Sequence, residues 1–127
     1  MKKWSIQFQE KYTGSPLTYW VHKAIGNSKY EPPLPKPVAG KGFAVLIVEI
    51  AEIELFFSSV NEVDHFLEVI SQKNMPTSMQ LSKIRGASYG PNKHWLSRLP
   101  GKIKPWRKRQ RLIKILEKAR KEFIINF

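Results

Sequence analysis

Arg107, Arg111, Lys114, Lys118 and Lys121 recur at intervals of three or four residues. Placed on a helical wheel at about 100° per residue, they fall within about 80° of one another. Trp106, Leu112, Ile113, Leu116, Ala119 and Phe123 take roughly the opposite side, so one face packs and the other is a cationic ridge. A row of guanidinium and ammonium groups one turn apart can hold a row of phosphates through charge-assisted hydrogen bonds. Without an anion, like charges at this spacing disfavour a helix by a few tenths of a kcal/mol per pair. A solvated surface helix usually mixes signs, yet Glu117 is the only acid between Lys102 and Lys121. Lys104 and Lys108 extend the basic run toward the start of the segment. Arg109 and Arg120 fall on the apolar side, where a structural use is expected: their stems cover core, or a guanidinium pairs with an acid elsewhere.

A second basic constellation occupies residues 92–98. Gln80-Leu81-Ser82, Gly86-Ala87-Ser88 and Trp95-Leu96-Ser97-Arg98 echo a helix-turn-helix over residues 77–98, with a Ser-Arg pair about three residues late because Ser88-Tyr89-Gly90-Pro91 lengthens the turn. In that arrangement Asn92 and Ser97 are candidate base contacts beside Lys93 and Arg98, while Trp95, Leu96 and Leu99 pack. His94 and Arg98 stand at i, i+4 and can share one phosphate. The alternative for Arg98 is a salt bridge to Glu49 or Glu54. Tyr12, Tyr19, Trp20, Tyr30 and Tyr89 offer rings for stacking on single-stranded bases, Tyr89 being the best placed for exposure.

The string Gly90-Pro91-Asn92-Lys93-His94-Trp95-Leu96-Ser97-Arg98-Leu99-Pro100, followed by Lys104-Pro105-Trp106-Arg107, resembles a motif of small basic bacterial proteins to which no activity is attached. The resemblance covers roughly residues 43–123. It implies a shared fold and nothing about a substrate.

Catalytic patterns find little support. His22, His65 and His94 lie far apart without metal-ligand spacing, and there is neither a Gly-rich phosphate loop nor a nucleophile elbow. Asp64 is the only Asp, and Glu49, Glu52 and Glu54 have no Lys or Arg near them in sequence, as a metal-dependent nuclease would require. No catalytic residue, metal site or cofactor is assigned, and the expectation is a protein that is not an enzyme.

Charge is sorted along the 127 residues, whose net charge is +12. The first 72 residues hold seven Lys/Arg against eight acids, and residues 42–72 hold six acids with no Lys or Arg; residues 73–127 hold fifteen Lys/Arg against Glu117 and Glu122. So concentrated a positive field attracts a polyanion. Hydrophobic residues make up 42% of the chain, enough for a core in one domain. The absence of cysteine suits a reducing compartment. The apolar run Phe43 to Val48 is too short to span a bilayer, and Met1-Lys2-Lys3-Trp4 leads into polar residues rather than a signal-peptide core, so a cytoplasmic protein with no membrane partner is expected.

The elements that must position these residues follow from pattern. Residues 3–9 and 17–24 alternate as strands and are expected to form a hairpin within an N-terminal part, 1–25. Residues 26–42, with four prolines between 32 and 37, read as an extended strap. In the acidic part, 43–72, Phe43 to Ile50 reads as a strand buried on both faces, residues 53–58 as its hairpin partner, and Ser59 to Glu62 as a capping box opening a helix over 60–72. The basic part, 73–127, reads as about three helices: one from Pro76 to Gly86, one over 92–99, and the longest from Pro105 to about Phe123. The expected fold is α+β, a small antiparallel sheet covered by a helix, with a basic C-terminal helical part. The expected function is non-catalytic nucleic-acid binding, DNA rather than RNA, through the ridge and residues 92–98. The rival is an interaction or inhibitor protein whose basic face docks an acidic protein surface.

Overall fold

The computed structural model describes residues 3–15, 17–27, 29–50, 52–73 and 101–125. In chain order they form β1 (Trp4–Gln9), the helical turn α1 (Thr18–Val21), β2 (Lys23–Gly26), β3 (Lys29–Glu31), β4 (Phe43–Ile50), β5 (Ile53–Phe57), α2 (Val60–Ile70), a 3₁₀ turn at Gly101–Ile103 and α3 (Trp106–Ile124). The α+β class and the small antiparallel sheet agree with the sequence. Of the three basic helices expected, α3 is described; the spans at 76–86 and 92–99 lie outside the described residues.

The apolar strand β4 is the middle of a three-stranded sheet in the order β1-β4-β5. Its register sets Trp4 opposite Val48, Ile6 opposite Leu46 and Phe8 opposite Ala44, while Phe57 and Leu55 face Leu46 and Val48 from the other side. Because side chains alternate across a sheet, these residues share one face, and α2 and α3 cover it. Phe57 meets Phe66 of α2 edge-to-face at 5.3 Å between ring centroids. Leu112, Leu116, Ala119 and Phe123 of α3, together with Ile103 just before it, are fully buried in the same core. Burying each large apolar side chain contributes about 1.5–3 kcal/mol, so the inner stripe of α3 fixes its roll about its own axis. The expectation that β4 is buried on both faces holds at Ala44, Val45 and Leu46, but Ile47 is half-buried and Glu49 is exposed opposite Glu54.

The N-terminal hairpin expected from residues 3–9 and 17–24 does not form. β1 pairs with β4, and residues 18–21 make a helical turn in which the His22 N–H donates to the Thr18 carbonyl at 2.8 Å. Three alternating residues, Leu17, Tyr19 and Val21, are too few to distinguish a period of 2 from one of 3.6. Thr18 and His22, four apart and both fully buried, decide for the helix because they share a face. The strap is extended but not wholly unpaired, since Lys29–Glu31 pairs with Lys23–Gly26 as a small separate hairpin. At the strap's end Gly42 has φ of +102°, and a Cβ there would stand 2.4 Å from the Gln9 carbonyl oxygen. Only glycine lets the chain enter β4 beside the last residue of β1. α2 starts where expected, with the Ser59 hydroxyl accepting from the Glu62 N–H, and ends at Ile70. Among the described residues no helix is long and apolar enough to cross a membrane.

Candidate nucleic-acid interface

α3 opens at Pro105, whose ring fixes φ at a helix-compatible value just before Trp106, and runs for 19 residues. Arg107, Arg111, Lys114, Lys118 and Lys121 are all exposed on its outer side, with Lys108 exposed at the edge of the same surface. The structure thus brings together the ridge anticipated from spacing. Among the described residues none of these six is held in a salt bridge. Arg107 and Lys108 lie in the first turn, where the helix dipole is already positive and no acid offsets it, so the potential there is raised further. Lys114, Lys118 and Lys121, with Glu117 and Arg120, line a depression of about 460 Å³ at the other end. Lys104 is half-buried and precedes the helix; its carbonyl is used structurally rather than presented outward. Asn92, Lys93, His94, Ser97 and Arg98 lie outside the described residues, as does Tyr89. Tyr12 is half-buried, hydrogen-bonded to Ser58 and packed on Phe43, so this ring belongs to the fold.

The two arginines on the inner side have structural partners. Arg109 is only 5% exposed. Its Nε donates to the Lys104 carbonyl at 2.7 Å, Nη1 to the Ile70 and Gln72 carbonyls, and Nη2 to the Lys73 carbonyl at 2.9 Å. These include carbonyls at the C-terminal end of α2, which has no partner within its own helix and no basic residue in its own last turn. Arg109 is therefore the C-terminal cap of a different helix, and its guanidinium also lies 5.0 Å from the centre of the Trp106 ring. Burial lowers its pKa from the ordinary arginine value, but arginine remains charged at any ordinary pH. Arg120 forms a two-pronged pair with Asp64 of α2 through Nε and Nη2. Because the start of α3 meets the end of α2 and the later part of α3 meets Asp64, the two helices run antiparallel. Trp4 Nε1 donates to Glu122 at 2.9 Å and ties α3 to β1.

The fold also assembles a constellation that sequence reasoning missed. His22, Ser58, Ser59 and Glu62 are all buried, and His22 and Glu62 have no exposed surface. Glu62 accepts hydrogen bonds from the hydroxyls of Ser15, Ser58, Ser59 and Thr18 and from the Ser58 N–H at 3.1 Å. Ser59 gives its single proton to Glu62, so His22 Nε2, 2.9 Å from the Ser59 oxygen, must donate to it. His22 Nδ1 faces the Pro32 carbonyl at 2.7 Å and must donate as well. Both ring nitrogens face oxygen atoms, an arrangement that favours the doubly protonated ring, and the ring stands 3.6 Å from the Glu62 carboxylate. Burial alone would lower the His22 pKa, but hydrogen bonding and the charge of Glu62 outweigh it and raise the value. Burial would likewise raise Glu62, but the donors around it hold it below the usual glutamate range. A serine nucleophile needs a histidine that accepts its proton. Here the Ser59 hydroxyl is also within 2.9 Å of the Glu62 carboxylate, and all three side chains are buried. The arrangement is a clamp joining residues 15–22 and Pro32 to the start of α2. One sequence signal was available: Glu62 lies on the helical face of Phe66 and Val69, an acid at a core position.

Two predictions follow from these geometries. Arg109→Lys should lower stability in urea by roughly 2–3 kcal/mol, because an ammonium cannot span the four carbonyls, whereas Arg111→Lys should leave it within about 0.5 kcal/mol. For the clamp, a raised His22 pKa means that its contribution is fully present below about pH 6.5 and is lost as pH rises through the folded value. The lowered Glu62 pKa means that its contribution is present above about pH 4.5 and is lost as pH falls through the folded value. His65, pushed down to about 4 by burial, has the opposite sign to His22, so the test is a difference between proteins. The stability gap between wild type and His22→Gln should be widest below about pH 6.5 and narrow at alkaline pH, while Glu62→Gln should cost about 3–5 kcal/mol near pH 6. Denaturant midpoints across pH check both.

Comparison with known protein families, with curated proteins and with solved structures finds no match for this chain.

Proposed function

We propose that this protein binds nucleic acid without transforming it, setting the outer face of α3 against the phosphates of duplex DNA. The observation that carries this reading is the division of cations along one helix. Those on the inner side, Arg109 and Arg120, have partners within the fold, and those on the outer side, Arg107, Lys108, Arg111, Lys114, Lys118 and Lys121, are exposed. A ridge from residue 107 to 121 is about 21 Å long at 1.5 Å per residue. Over that length a duplex strand presents a phosphate about every 3.4 Å of its axis, so each ridge cation has an anion within reach. The inner side of α3 is packed on α2 and the sheet, and the ridge is therefore suited to tracking a backbone rather than entering a groove deeply. Contacts of this kind supply affinity without reading sequence. Any preference would come from Asn92 and Ser97 beside Lys93, His94 and Arg98, a part of the proposal that rests on the sequence.

The test is salt dependence. With about five phosphates engaged, log affinity for a short duplex should fall against log salt with a slope of roughly −4 to −5. The double variant Arg111→Gln, Lys114→Gln should bind all sequences more weakly, with a slope shallower by about 2, while its stability stays within about 0.5 kcal/mol of wild type. A flat salt profile, or no binding at low salt, would overturn the proposal. Retention of an acidic protein in place of duplex would assign the ridge to the rival reading.

A further inference from the structure

The Arg120–Asp64 pair borders the depression formed by Lys114, Glu117, Lys118 and Lys121, and nothing in the ridge reading uses it. We infer that Asp64 is an internal stand-in for a phosphate, and that Arg120 is a phosphate ligand held in reserve until a polynucleotide backbone displaces that carboxylate. The inference rests on the nucleic-acid reading and extends it to one residue and its competitor.

Three observations carry it. First, the geometry is the one a phosphate would use: Arg120 Nε addresses Asp64 Oδ1, and Nη2 addresses Oδ2 at 3.3 Å, so both oxygens of an anion are engaged by adjacent N–H groups. Second, the pair is open to water, the Arg120 side chain being 34% and the Asp64 side chain 49% exposed. Exposed pairs of this kind shift an equilibrium by at most about fivefold, so a competing anion can take the arginine. Arg109, buried against four carbonyls, has no such freedom. Third, the neighbours favour a polyanion, which brings one negative charge at each successive phosphate, over the single charge of Asp64. Lys114, Lys118 and Lys121 share the depression with Arg120, and among the described residues Glu117 is the one acid lining it. A phosphodiester arriving there meets three ammonium groups, and its second oxygen can accept from the guanidinium that leaves Asp64. Asp64 then acts as a built-in competitor that keeps wild-type affinity below what the ridge alone would deliver.

The experiment measures affinity for a short DNA duplex across salt with wild type, Asp64→Asn, Arg120→Gln, the double variant and Glu68→Gln. Glu68 is exposed one turn along α2 from Asp64, so its variant reproduces the change in net charge without freeing Arg120. Asp64→Asn should bind about two- to fivefold more tightly than Glu68→Gln. Its salt slope should match that of wild type, since both complexes hold the same Arg120–phosphate contact, whereas Arg120→Gln should be shallower by about 0.9. The gain should vanish in the double variant. Equal tightening by Glu68→Gln, or a gain that persists without Arg120, would overturn the inference while leaving the ridge intact if wild type still shows its steep salt slope. Wild type that binds no duplex, or that prefers anionic phospholipid vesicles, would overturn both. The Arg120 Nε–H resonance of wild type gives a readout independent of folding changes in variants: it should shift when duplex saturates the protein, and a resonance that stays put contradicts the exchange.

Discussion

Four carbonyl oxygens converge on the Arg109 guanidinium, three of them from the end of α2 or just beyond it and one from the turn leading into α3. A helix end carries unsatisfied carbonyls and the negative pole of its dipole, and α2 has no basic residue in its own last turn. One side chain from α3 meets both needs. That contact fixes where α3 begins relative to α2, and the buried stripe Leu112, Leu116, Ala119 and Phe123 fixes how it is rolled. With position and roll set, the outer cations have no choice but to face solvent together. The chain's most costly feature, like charges stacked one turn apart, is therefore imposed by its core rather than tolerated by chance.

Charge sorting takes a different meaning once the partners are known. The acids of residues 42–72 do not form a surface that neutralises the ridge. Glu62 is buried against His22, Asp64 holds Arg120, and Glu49 and Glu54 stand opposite each other on the exposed face of the sheet. Like charges directly opposite across strands are unfavourable, so that pair adds nothing to the fold. The ridge keeps its field because Glu62 and Asp64 are committed to His22 and Arg120 and Glu49 and Glu54 lie on the other side of the sheet, leaving Glu117 as the acid among the ridge cations. Stability of the N-terminal segment is vested separately, in the His22–Ser59–Glu62 clamp.

Much of this was legible in the sequence where the signal was long and local. The ridge and its apolar opposite face, the start of α3 at Pro105, the cap at Ser59 and the structural bias of Arg109 and Arg120 all follow from periodicities confined to one helix. What escaped depends on residues far apart in the chain. The pairing of β1 with β4 rather than with residues 17–24, and the union of His22 with Glu62 across 40 positions, leave no trace in spacing. The helical turn at Thr18–Val21 was hidden for a related reason: polar Thr18 and His22, buried by distant partners, define its inner face, whereas hydrophobic alternation pointed to a strand. Spacing puts Arg109 on the inner side, but its ligands, largely carbonyls of another element, are invisible to any reading of side-chain types.

The central claim is that the docking of α3 on α2 and the sheet decides which cations are available, and lysine-reactivity footprinting tests it most directly. In the free protein Lys114, Lys118 and Lys121 should react as readily as Lys23, Lys29 and Lys41, all of them exposed. On saturation with duplex DNA the three on α3 should become protected, and the three on the β2–β3 hairpin and the strap should not change. Protection spread evenly over all six, or confined to the N-terminal lysines, would contradict the account.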